Sequence, residues 1–214
     1  MSDSDTGESS PLDAFCADTA TPRWIRDVHR FLPVKSQFIL SSNIRDRYPF
    51  PFQPGRYAPL ALPQYLAESL KLAGYERFIA FDAIGGFRPV VPQGEDQAEV
   101  HRFFKDRFEI DTGSDKKPSL EKSLQTVERM VAHREEFIAV ILDFASRYCL
   151  KADSPTETEH EYFSRALMLS HSAMPHNTAR CKQARFNPIF WLCDKENDLP
   201  DWLSLDNPRM REVI

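Results

Sequence analysis

Ile138-Ala139-Val140-Ile141-Leu142-Asp143 is an unbroken apolar run that stops on a carboxylate. Two other stretches have the same form: Phe78-Ile79-Ala80-Phe81-Asp82 and Ile189-Phe190-Trp191-Leu192-Cys193-Asp194. Runs this short, separated by stretches of helical periodicity, read as strands of a parallel sheet buried on both faces. Right-handed crossovers then put helices on both sides, which predicts a three-layer α/β sandwich with a mostly parallel sheet of about five strands. Such a sheet gathers its strand C-termini along one edge, where ligands bind in open α/β folds. Asp82, Asp143 and Asp194 are therefore expected along that edge.

Working outward, Trp24, Ile25, Val28, Phe31 and Leu32 fall at helical spacing in residues 23–32, and Pro33 stops that helix. Gln37-Phe38-Ile39-Leu40-Ser41 reads as the first strand. Tyr48 to Pro63 carries Pro49, Pro51, Pro54, Pro59 and Pro63, which excludes regular helix or central strand and predicts an irregular stretch. A helix over 64–73 ends at Gly74. Gly85-Gly86 leads into a short strand over 87–91, and helices follow over 96–108 and 119–134, separated by a polar loop from Asp111 to Pro118. A further helix, over 157–174, puts Tyr162, Phe163, Ala166, Leu167, Ser170 and Met174 on one face. The loop from Pro175 to Phe186 is basic, with His176, Arg180, Lys182 and Arg185, and reads as solvated. Leu199 to Leu203 suggests a helical turn, and Arg211 to Ile214 a last strand.

At 214 residues the chain can bury one substantial core. Residues 1–22 hold five acids (Asp3, Asp5, Glu8, Asp13, Asp18) and no Lys or Arg, whereas acids and bases balance in the remainder. This predicts an acidic flexible tail over 1–22 and a neutral body over 23–214. A neutral body argues against dedicated nucleic-acid binding, and no apolar run approaches the roughly 20 residues of a membrane span. Cys16, Cys149, Cys181 and Cys193 stand apart with no C-x-x-C pair, which suits reduced thiols in a cytoplasmic protein. No His/Cys spacing predicts a metal cage; His171 and His176 are separated by Pro175. Trp191 and Trp202 flank the Asp194 loop and read as core.

In this order the elements resemble a P-loop ATPase of the AAA+ kind. Ile138–Asp143 is similar to the strand bearing the magnesium aspartate, Pro188–Asp194 to the strand ending on a polar sensor, and Leu199 to Ile214 to the arginine-bearing segment and last strand. The body most resembles the inactive ATPase-like domain that precedes the working module in some bacterial and plastid AAA+ proteins. The resemblance implies a nucleotide-facing edge built from Ser41, Ser42, Asn43, Arg45, Asp82, Asp143 and Asp194, and it makes Arg209 and Arg211 candidates to reach a neighbouring subunit.

The departures from that pattern concern chemistry. A phosphate-cradling loop needs G-x-x-x-x-G-K-[ST], and this chain has no Gly-Lys dipeptide. Ser41-Ser42-Asn43-Ile44-Arg45-Asp46-Arg47 stands in its place; Arg45 or Arg47 could meet a phosphate, but Asp46 between them repels it, and the plain expectation is a helix start capped by Ser42 or Asn43. Phe144 occupies the position after Asp143 where the family carries its catalytic glutamate, which removes the group that activates water. The plain reading of the three aspartates is turn-capping or pairing with a nearby arginine.

Three functions are consistent with this: a non-catalytic ATPase-like module making protein contacts or oligomers, as the N-terminal part of a larger AAA+ machine; a divalent-ion enzyme of phosphoryl transfer or hydrolysis using the aspartates; or a small α/β adaptor or immunity-type binding protein. No cofactor is expected, with weak ATP or magnesium binding left open.

Overall fold

The computed structural model describes residues 10–53, 55–110, 118–205 and 207–213, with only the backbone of Glu196. The elements in chain order are α1 (Pro11–Ala17), α2 (Arg23–Phe31), β1 (Gln37–Ser41), β2 (Arg47–Gln53), β3 (Arg56–Ala61), α3 (Leu62–Leu72), β4 (Arg77–Asp82), β5 (Gly86–Pro89), α4 (Gln97–Phe108), α5 (Leu120–Ala132), β6 (Ile138–Leu142), α6 (Glu157–Ser172), β7 (Ile189–Cys193), α7 (Asp201–Leu205) and β8 (Met210–Val213). A six-stranded sheet has the order β5-β4-β6-β7-β1-β8. All its pairings are parallel except β4 with β5.

Alternation along each strand divides the core in two, because successive side chains leave a strand on opposite faces. Ile39, Ile79, Phe81, Ile138, Val140, Leu142 and Trp191 pack against α4, α5, α6 and α7. Phe38, Leu40, Phe78, Ala80, Ala139, Ile141 and Phe190 pack against α1, α2 and α3. These are the three layers read from the apolar runs. Two buried polar side chains fix the register of the layers. Gln37 donates to the Ala166 carbonyl (2.8 Å) and accepts from the Trp191 indole (3.1 Å). Asn187 accepts from the Ile138 N–H and donates to the Met130 and His133 carbonyls. Each satisfied group inside the core ties a strand to a helix at one register.

Several expectations are corrected. The mostly parallel sheet of about five strands is as expected: it has six, with β5 as an antiparallel edge, and the departures lie elsewhere. The proline-rich stretch is not irregular: β2 and β3 form a separate two-stranded ribbon. Pro49 faces Pro59, and Pro51 faces Tyr57. Pairs of this parity lie between the exchanged hydrogen bonds, so the missing proline N–H groups leave the ladder intact. Pro63 belongs to the first turn of α3, where a missing N–H costs nothing.

The expected acidic tail over 1–22 is corrected within the described residues. Residues 11–17 form a helix capped by Ser10, and Phe15 is buried against Phe50 and Tyr65. Residues 1–9 lie outside the described residues, as do most of the polar loop (111–117) and Ile214. α6 stops at Ser172, so Met174 is exposed instead of on the buried face. The basic loop is not wholly solvated: His176 is buried and bridges Arg185 as a short antiparallel pair. Among the described residues no helix is long and apolar enough to cross a membrane.

Candidate functional site

The C-terminal ends of β1, β4, β6 and β7 share one edge, as parallel pairing requires. At the end of β1 the chain makes no helix, so the expected helix start capped by Ser42 or Asn43 is overturned. The Ser42 N–H donates to the Cys193 carbonyl (3.2 Å), Ile44 to Ser42 (2.8 Å) and Asp46 to Asn43 (3.0 Å). Asn43 also donates its side-chain amide to Asp46 (2.8 Å). The prolines of the following ribbon forbid helix, and three amides of the turn are already bonded to carbonyls. A phosphate needs a set of free N–H groups converging on it, and Ser42, Ile44 and Asp46 offer none. Ile44 is buried in the core beneath the turn, and the buried Ser41 hydroxyl has no partner among the described residues. Arg45 lies over the Phe144 ring (5.9 Å to the centroid), and Arg47 donates to the Pro59 carbonyl.

The ends of β4 and β6 do meet. Arg88, on β5, donates to Asp82 (2.6 Å) through one guanidinium nitrogen and to Asp143 through the other. Asp82 also accepts from the backbone N–H groups of Ile84 and Gly85. A Cβ on Gly85 would sit 2.8 Å from an Asp82 oxygen, so only glycine lets this turn close onto the carboxylate. Asp143 is buried, and its other oxygen accepts from the Phe144 N–H. Burial pushes the Asp143 carboxyl above the ordinary carboxylate range, and Arg88 opposes that push.

Asp194 is not part of this pair. Its N–H donates to the Ser146 hydroxyl (2.7 Å), and its carboxylate stands 4.0 Å from Arg147. Among the described residues, the three aspartates do not form a group with ligand atoms close enough to share one ion. His133, Glu135 and Glu136 do gather within 4.8 Å, on the loop that enters β6 at the opposite edge. There Glu135 is held by Arg107, and Glu136 by His133 and Arg77. Arg209 also lies at that opposite edge: its guanidinium donates to the Ala173 carbonyl and lies over Phe186, and its carbonyl accepts from Ser36 and Gln37. Arg211 stacks on Phe31.

The residue the sequence reading missed is Arg88. Its signal was present: a Gly85-Gly86 turn folds the chain back on a strand ending in aspartate, which brings a cation beside that carboxylate. Phe144 was noted only for what it replaces, and its backbone conformation (φ +51°) was not anticipated.

A family model described as "AAA+ chaperone, N-terminal Rossmann-like domain" matches residues 11–214. The chain belongs to this family. The match takes in α1 as well as the sheet, so this AAA+ chaperone N-terminal domain includes the helix that the charge pattern had assigned to a tail. No curated protein and no solved structure matches the chain.

Proposed function

We propose that this AAA+ chaperone N-terminal domain is a non-catalytic, ATPase-like module that acts through protein contacts, as the N-terminal part of a larger AAA+ machine or in an oligomer of it. The observation that carries the reading is the Arg88 bridge. A cation built into the chain already neutralises the carboxylate that would hold magnesium, so a metal ion would have to displace it. The turn after β1 supports the same reading, since its Ser42, Ile44 and Asp46 amides are spent on carbonyls of the chain. Phe144 supplies no base where water would have to be activated. Site roles for Ser41, Ser42, Asn43, Arg45 and the aspartates in nucleotide contact are not part of this reading, nor is a reach of Arg209 or Arg211 into a neighbour.

Isothermal calorimetry with ATP and magnesium on this chain tests it. No saturable heat is expected at micromolar nucleotide; a micromolar dissociation constant overturns the reading.

A further inference from the structure

We infer that the cleft between α1, β2 and α3 docks a polypeptide segment carrying lysine or arginine beside a large apolar side chain. Phe52 makes the apolar contact, and Asp18 and Glu68 meet the cations. The inference rests on the protein-contact reading above and adds the place and the partner's chemistry.

The cleft has a volume of about 520 Å³, and residues of all three elements line it as one surface. That is room for a few side chains of a partner. Phe15 of α1 and Phe50 of β2 line it, both buried and packed on each other, and Leu72 of α3 lines it beside them. Phe52 stands where the pairing of β2 with β3 shifts register, between Pro51 and Gln53. An irregularity of this kind re-aims a side chain; here the aromatic lines the cleft and is still 48% exposed. Phe50 spends its ring on Phe15 and Tyr65, whereas Phe52 has no ring contact among the described residues. A half-exposed aromatic beside buried apolar side chains has the form of an interface anchor.

Charge selects the occupant. Asp18 accepts from the Ala20 N–H (2.8 Å) and from the Tyr57 hydroxyl (3.3 Å). Glu68 accepts from the Gln64 side-chain amide (2.9 Å) and from the Gln93 N–H (2.7 Å). All these donors are neutral, so both carboxylates keep their charge, and neither forms an ion pair with Lys or Arg among the described residues. Lys71, the one cation among the described residues that line the cleft, is taken by Glu95 (2.7 Å). The cleft therefore carries two uncompensated negative charges beside apolar walls, and its field favours a cation. Lysine and arginine suit it on both counts, since their aliphatic stems cover apolar surface while their charged heads reach carboxylates. An acidic segment or a nucleotide would add like charge there.

Fluorescence anisotropy with a short labelled peptide alternating lysine and leucine tests it. Saturable binding is expected, at least about ten-fold tighter than for the counterparts with glutamate in place of lysine or serine in place of leucine. Phe52→Ser is expected to weaken binding at least about ten-fold with its thermal midpoint unchanged, because the ring is half exposed. Asp18→Asn with Glu68→Gln should weaken it as much. The same charge change on the opposite layer, Asp106→Asn on α4 with Glu161→Gln on α6, should leave it unchanged. Absence of saturable binding, equal binding of the serine counterpart, unchanged binding by Phe52→Ser, or equal weakening by the two charge variants overturns the inference. None of these outcomes touches the non-catalytic reading, because the cleft shares no residue with the strand ends that face a nucleotide in a hydrolase; the ATP calorimetry decides that reading by itself.

Discussion

The ends of β1 and β6 make an instructive pair. In the non-catalytic reading proposed above, both stand where a nucleotide hydrolase would grip its triphosphate, and they differ in what occupies that place. At β1 the backbone itself has changed course, from the expected helix to a tight turn and a ribbon. At β6 the backbone and the aspartate remain, and one side chain from β5 neutralises them. The first change is architectural and reaches into the core through Ile44 and Phe50. The second is a local charge pairing that one substitution can undo.

The largest effect should come from breaking the architectural change. Phe50 anchors the ribbon against Phe15 and Tyr65, and Phe50→Ala is expected to cost about 3–4 kcal/mol in urea unfolding. A loss below about 1 kcal/mol would mean that the ribbon is an appendage rather than part of the fold.

A second break uses pH on the same layer. Burial, with Arg185 nearby, lowers the His29 pKa to about 4 from its ordinary 6.5. The unfolded chain takes up the proton first, so stability is whole above about pH 6.5 and is lost as pH falls towards about 4. The loss attributable to His29 should be about 2–3 kcal/mol. His176, also lowered by burial, changes in the same direction. Urea midpoints across this range, compared with His29→Gln, check it: a variant with the same acid slope as the wild type removes His29 from the account.

The β6 side sharpens the comparison. Arg88→Met leaves Asp82 and Asp143 facing each other and should cost about 2 kcal/mol, tempered by the partial exposure of the arginine. Adding Asp143→Asn should recover part of that loss. Magnesium should raise the thermal midpoint of Arg88→Met and leave the wild type unmoved; equal responses would mean that Arg88 does not stand in for a cation. The smallest effect is Phe144→Gly, expected to gain about 1 kcal/mol by relieving the left-handed backbone. A loss on thermal melting would show that the ring contributes more to the fold than its conformation costs.

The sheet was largely legible because its evidence is local. Runs such as Ile138–Leu142 and Ile189–Cys193 are apolar at every position, and that composition suits only a strand covered on both sides. The ribbon was not legible, since proline density signals only that central pairing is impossible. Whether a proline's missing N–H faces a partner or solvent depends on register, and register is set between strands. The docked α1 was hidden for a related reason: its acids dominate the local composition, while one phenylalanine decides its burial.

At the candidate site the carboxylates were legible and their partner was not. The chain alone determined that aspartates would end three buried strands, that no Gly-Lys dipeptide is present, and that an aromatic follows Asp143. These follow from residue identity and short-range periodicity. Only the tertiary structure decided that Arg88 would join Asp82 to Asp143, that Asp194 would stand apart, and that Arg209 would turn to the opposite edge. Side-chain pairing across strands depends on sheet order and on which strand runs antiparallel, and both are settled by packing between segments far apart in the chain.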